Sequence, residues 1–250
     1  MSDLDFLLDE LVTANRILAH EGIVDAYGHI SLRHPGHADR YFLSRARTPQ
    51  CVERADIMEF TMDGEPIDLQ GRAPYFERFI HGGIYLARPD VKSIIHSHSH
   101  AVIPFGVGGE PIRPLMLNCA LIGRATPIWD SRDRFGDTDL MVTSMAMGHD
   151  LARALGGNPT ALMRGHGSVA VGKTIRQAVF IAIKLQESAD FQRESSRFKN
   201  VIYLSEGEIV KVQSLLDFAD IEKPLRGIDR AWEYWCYRAG ETFRPMSYDR

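Results

Sequence analysis

Apolar residues recur at helical spacing from the start of the chain. Leu4, Leu7, Leu8, Leu11, Val12, Ala14 and Leu18 fall on one side, which predicts a helix over residues 3–20 with Ser2 or Asp3 capping its first turn. From Ile30 to Ile67 the chain shifts to short β-prone runs, HISLR, RYFLS and IMEFTM, separated by Pro-Gly and Asp-Gly turns, the pattern of antiparallel strands. Helical spacing returns at Phe76, Phe79, Ile80 and Ile84 and predicts a helix from Tyr75 to Ala87, stopped by Pro89-Asp90. Lys92 to Ile95 follows as a buried strand leading straight into His96-Ser97-His98, and Ala161 to Met163 is a second apolar strand. Thr174 to about Glu194 is the longest predicted helix, with further helical stretches near 206–217 and 226–239. Because strands and helices interleave without repeats or long linkers, the expectation is one α/β domain over residues 1–250. Its helices would cover a largely antiparallel sheet, and a helical extension would begin near residue 200.

Composition narrows the function. With 44% hydrophobic and 25% charged residues and a formal net charge of −4, the 250-residue chain has the make-up of a globular domain and lacks the basic excess of a nucleic-acid binder. No stretch is apolar enough to predict a membrane span, and the acidic N-terminus is unlike a signal peptide. Cys51, Cys119 and Cys236 are scattered and odd in number, so the expected setting is a reducing cytoplasm. Gly106-Val107-Gly108-Gly109 lacks the GxGxxG spacing, and no dinucleotide cofactor is expected.

The chemistry concentrates on histidines. On a strand, residues two apart face the same way, so His96 and His98 can reach one metal ion without distorting the backbone. An HxH alone also occurs on ordinary surfaces, and Arg164-Gly165-His166-Gly167 alone reads as an exposed turn. Together they offer three neutral imidazoles with an open position, the donor set of a catalytic divalent site. His100 has the same parity, but a helix starting near Ser99 is expected to turn it away. Glu77 sits on the predicted helix just before the HxH strand. Only Pro89-Asp90-Val91 separate helix and strand, so its carboxylate can fold back to ligate a metal or carry a proton.

These residues resemble the class II aldolase/adducin family. The resemblance rests on Gly28-His29-Ile30-Ser31, the block from Glu77 through Arg88-Pro89-Asp90 to His96-Ser97-His98, and Arg164-Gly165-His166-Gly167, and it spans roughly residues 5 to 195. It implies a three-layer α/β/α sandwich and one divalent metal ion per subunit, with His96, His98 and His166 as ligands and Glu77 as the acid/base. It also implies a ring-shaped homotetramer with active sites at subunit interfaces.

The departures bear on the substrate. Sugar-phosphate members of the family hold phosphate with small hydroxyl residues, where this chain has Ala73-Pro74-Tyr75-Phe76 and the loop Ser44-Arg45-Ala46-Arg47. Guanidinium groups suit carboxylates, and an aromatic pair cannot supply short hydrogen bonds to phosphate. With Val102 to Val107 and Trp129 to Asp133, these features are similar to the branch that decarboxylates hydroxypyridine dicarboxylates or dihydroxyphthalate. The expected substrate is thus an ortho-hydroxy aromatic or heteroaromatic acid, read by Arg45, Arg47, Ser44, Ser31 and Tyr75. Zinc suits three imidazoles, and manganese suits an oxygen-rich chelating substrate equally well. The alternatives are an aldolase for an unphosphorylated hydroxy or keto acid, and an adducin-like scaffold without catalysis. A C-terminal cluster, Trp232, Tyr234, Trp235 and Tyr237, reads either as packing or as a cover over a ring substrate.

Overall fold

The computed structural model describes residues 3–215 and 226–245; Ser2 as a cap and the end of the helix expected over 206–217 lie outside them. Seven strands form one sheet: β1 (His29–Arg33), β2 (Arg40–Ser44), β3 (Ile57–Thr61), β4 (Ser93–Ser97), β5 (Ile128–Trp129), β6 (Thr160–Met163) and β7 (Gly167–Gly172). Their order is β3-β2-β1-β4-β7-β6-β5. Every neighbouring pair is antiparallel except β5 with β6, so the sheet is largely antiparallel as expected.

The helices are α1 (Asp3–His20), α2 (Arg78–Ala87), α3 (Ile103–Gly108), α4 (Arg132–Phe135), α5 (Met145–Leu155), α6 (Ile175–Ser195), α7 (Glu206–Leu215) and α8 (Arg226–Ala239). Successive strand residues point to opposite faces, which divides the core in two. Ile30, Leu32, Phe42, Ile95 and Ala170 pack with apolar residues of α1, α6 and α8 on one face. Tyr41, Leu43, Phe60, Ile94, Val169 and Val171 pack with Ile80, Ile84, Met147 and Leu151 of α2 and α5 on the other. The result is the expected α/β/α sandwich.

Several boundaries differ from expectation. The helix predicted from Tyr75 begins only at Arg78. Tyr75 is pinned instead by its hydroxyl, which donates to the Arg47 carbonyl and accepts from the Arg47 N–H at 3.4 Å. No helix starts at Ser99; its carbonyl accepts the N–H groups of Val102 and Ile103 in a turn that leaves His100 exposed. Strand β7 and helix α5 lie in stretches where periodicity alone assigned no element. The C-terminal aromatics divide: Trp232 and Trp235 are buried in the core, Trp235 edge-on to Phe180, while Tyr234 and Tyr237 point to solvent.

Candidate active site

The functional side chains collect at one end of the sheet because that is where consecutive strands begin or end. His29 opens β1 directly opposite His96 near the end of β4, and His96 in turn faces Val169 of β7. The β6–β7 turn brings His166 into the same row. This turn depends on its glycines. Gly165 has φ 70°, and a Cβ on Gly167 would lie 2.1 Å from the Ser97 carbonyl oxygen.

Glu77, His96, His98 and His166 come together, with one potential ligand atom from each lying within 4.8 Å of the others. Glu77 is the residue capping α2, so its side chain leaves the helix toward the sheet end. Its Oε1 accepts the Val142 N–H at 2.9 Å, and its Oε2 lies 3.6 Å from His96 Nε2 and 3.5 Å from His166 Nε2. Burial works against ionisation of this carboxyl, yet His96, then His166 and His29, outweigh it and hold it well below the usual carboxylate range. His96 is wholly buried, and burial is the main cause that brings its ring down to about 3, against the opposing pull of Glu77. At neutral pH the cluster therefore pairs an anionic carboxylate with a neutral His96.

The donor set fits a divalent ion. His96 Nδ1 donates to the Ser168 carbonyl at 3.2 Å, and His98 Nδ1 donates to the Asp25 carboxylate, 3.1 Å from Oδ1. Each bond leaves an Nε2 lone pair in the neutral ring, and these two Nε2 atoms are 3.0 Å apart. Two facing lone pairs repel, so a proton or a cation must lie between them. His166 Nδ1 is buried without a hydrogen-bond partner. Among the described residues, three imidazoles and one carboxylate around a common point match a three-histidine metal site with a further position to fill.

Behind the cluster runs a buried polar chain. His29 Nδ1 is 2.7 Å from His81 Nε2, His81 Nδ1 is 2.6 Å from Ser31 Oγ, and Ser31 Oγ is 2.8 Å from the Tyr85 hydroxyl. Ser31 is fully buried and its hydroxyl is taken up by this chain, so the substrate contact expected of it is corrected to a supporting role. Ser44 is also buried, and its hydroxyl faces the Tyr75 hydroxyl at 3.5 Å. The Tyr75 ring tilts against His29 with centroids 4.6 Å apart, which places an aromatic wall one residue away from His96. Arg45 and Arg47 are not free: Arg45 Nε is 2.5 Å and Arg47 Nη1 2.6 Å from the Asp56 carboxylate, itself buried.

Residues 9–193 match the family described as the class II aldolase and adducin N-terminal domain. The chain belongs to that family. It is 30% identical over 248 residues, 90% of each chain, to decarboxylase tropJ of Talaromyces stipitatus. It is also 29% identical to a 3,4-dihydroxyphthalate decarboxylase of Arthrobacter keyseri, over 72% of this chain and 75% of the relative. Among solved structures, an aldolase II superfamily protein from Pseudomonas syringae superposes with a TM-score of 0.77 at 19% identity, covering 96% of this chain and 94% of that one. The L-fuculose 1-phosphate aldolase from Glaciozyma antarctica gives 0.73 at 24% identity, covering 96% and 92%. These neighbours share the fold, and the two relatives in sequence are named as decarboxylases, which supports a lyase.

Sequence reasoning missed Asp25, His81, Val142 and Asp56. The Asp25-x-x-Gly28 spacing of a side-chain-capped turn was the one local signal for Asp25. Nothing local distinguishes His81 from an ordinary helical histidine, and Val142 acts through its backbone.

Proposed function

We propose that this chain is a metal-dependent decarboxylase of an aromatic or heteroaromatic acid that carries a hydroxyl beside the leaving carboxylate. The observation that carries the reading is the Glu77 carboxylate, fixed by the Val142 N–H on one oxygen and turned toward His96 and His166 with the other. Similarity to two decarboxylases adds support, one of them named for a hydroxylated aromatic diacid.

His96, His98 and His166 would hold zinc or manganese, which when bound supplies a Lewis acid for the oxygen next to the breaking C–C bond. Glu77, being ionised, begins as a proton acceptor. It takes the proton of the substrate hydroxyl as the substrate docks. Glu77 returns that proton to the ring carbon that bears the carboxylate, and as CO2 leaves, the electron pair of the broken C–C bond flows back into the ring and restores the aromatic phenolate. The carboxylate is regenerated, and the product phenolate recovers a proton from solvent.

The Tyr75 ring, tilted 45° against the buried His29, supplies an aromatic side to the pocket. Arg45 and Arg47, 38% and 29% exposed, keep outward N–H groups for a second carboxylate although Asp56 anchors both. Where β2 ends at Ser44, its register with β1 leads Arg45 toward the position opposite His29. A homotetramer with the sites at subunit interfaces belongs to the same reading, and light scattering of purified protein tests it.

The deciding experiment is metal analysis followed by a screen of hydroxy-aromatic diacids for CO2 release, with and without chelator. CO2 release that is lost on chelation and restored by zinc or manganese is the expected result. Pyruvate release from hydroxy-keto acids, or efficient cleavage of a sugar phosphate, would assign the site to aldol chemistry instead.

A further inference from the structure

The three imidazoles are not supported alike. His96 is fully buried and donates to a backbone carbonyl of the sheet, which no substitution removes. His166 has no partner on Nδ1. His98 alone is oriented by a side chain, the Asp25 carboxylate, whose two oxygens lie 3.1 and 3.2 Å from its Nδ1.

Asp25 is itself held before it meets His98. It lies in the segment between α1 and β1, where its Oδ1 accepts the N–H groups of Tyr27 at 2.8 Å and Gly28 at 3.1 Å. Gly28 packs closely enough that a Cβ there would sit 3.1 Å from the His96 carbonyl oxygen. One turn therefore touches the backbone of one histidine and orients the ring of another. Asp25 and His98 also line a cavity of about 500 Å³ together with His100, Gln186, Asp190 and Arg193. His98 thus belongs both to the cluster and to the cavity wall, whereas His96 is sealed within the sheet.

We propose that Asp25 is a positioning residue that fixes the His98 tautomer, and that it thereby sets how long the divalent ion stays bound. This rests on the assignment of His96, His98 and His166 as metal ligands. A carboxylate can only accept, so it keeps the proton on Nδ1 and the lone pair on Nε2, toward the cluster. It also adds negative charge behind the ring, which makes Nε2 a better donor to a cation. His98 is the arm of the site that faces the cavity, and its release opens the route out.

The test uses the full-length protein, metal-stripped and then titrated with Zn2+ against a chromophoric chelator, with release followed by an EDTA chase. Asp25→Asn keeps an oxygen for the turn N–H groups but offers an amide that favours the opposite tautomer; Asp25→Ala removes the partner altogether. Both variants are expected to bind Zn2+ about 10–100-fold more weakly, chiefly through faster release. Tyr27→Ala, which alters the exposed side chain of the same turn but leaves the carboxylate, is expected to match wild type. Nitrogen-15 NMR of the metal-free protein is expected to place the His98 proton on Nδ1 in wild type and to lose that preference in Asp25→Ala. Wild-type affinity and release in both folded Asp25 variants would overturn the proposal while leaving the ligand set intact. Equal weakening by Tyr27→Ala would overturn it as well, by assigning the effect to the loop. If wild type binds no Zn2+, the ligand assignment and this inference fall together.

Discussion

His81 offers a direct measurement of what the buried polar chain costs the fold. It is fully buried on α2 between His29 and Ser31, and burial pushes its ring down to about 3, with Glu77 opposing. In the unfolded chain a histidine titrates near 6.5. The folded value is depressed, so between these limits the unfolded chain binds one proton more at this position. Stability from this group is then fully present above about pH 6.5 and lost as the pH falls toward 3. The slope is about 1.4 kcal/mol per pH unit, so the loss by pH 5 is about 2 kcal/mol. His81→Gln removes the titration but keeps an amide that can hydrogen-bond to both neighbours. Urea unfolding of both proteins from pH 4.5 to 7.5, in chelator and at constant ionic strength, gives the comparison. His29 and His96 are also held neutral by burial, but they are present in both proteins and cancel to first order in the difference. Wild type is expected to lose stability more steeply than the variant by about 1 kcal/mol per pH unit between pH 6 and 4.5. Parallel curves would show that His81 is protonated in the fold, and the chain of neutral imidazoles would be wrong.

Other substitutions probe different layers. Glu77→Gln retains an acceptor for the Val142 N–H, so circular dichroism and Tm are expected to stay near wild type while kcat for CO2 release falls about 10²–10⁴-fold; loss of metal in this variant would make Glu77 primarily a ligand. Gly167→Ala places a Cβ 2.1 Å from the Ser97 carbonyl and is expected to cost about 1–3 kcal/mol in urea unfolding and to weaken metal binding, because β4 and β7 must separate beside His98. Arg176→Met leaves Glu10 buried without the guanidinium 2.5 Å away, an expected loss of about 3–5 kcal/mol; the double variant with Glu10→Leu is expected to recover much of it, and no recovery would mean the arginine acts through its other contacts, Asp229 and the Arg244 carbonyl among them.

Features written in local periodicity were legible in the sequence. The strand running into His96-Ser97-His98, the helices α1 and α6 and the antiparallel run of β1 to β3 follow from side-chain alternation, which responds to burial on one face or two. That Glu77, His96, His98 and His166 come together was also legible, because same-face geometry on a strand and a glycine-flanked turn constrain where imidazoles point. What did not show was pairing across long sequence separations. Arg45 and Arg47 read as free cations because Asp56, which binds both, is 9 to 11 residues away in a different element. Ser31 read as a substrate group because nothing near it in sequence reveals that His81 and Tyr85, one helical turn apart on α2, consume its hydroxyl. Trp232 and Trp235 read either as packing or as a cover over a ring substrate, because their burial depends on where α8 docks.

Charge balance links the metal reading to the substrate reading. Glu77 and Asp25 both carry carboxylates held below their usual range, Asp25 because Tyr27, His98 and Gly28 hydrogen bonds outweigh the cost of burial. The cationic side chains that follow β2, Arg45 and Arg47, already share Asp56, and Arg47 also lies 3.7 Å from Glu53. Left to its own side chains, with His96 neutral, the pocket floor is anionic and opposes an aromatic diacid, since like charges at close range in a partly buried site are screened poorly. An anionic substrate is accommodated there only if the histidines hold positive charge. The facing Nε2 atoms of His96 and His98 are placed to hold a divalent ion, and the Asp25 and Ser168 bonds keep their protons on the far side of each ring. On the proposed function, the same hydrogen bonds that would make the imidazoles ligands would also let the pocket accept a diacid.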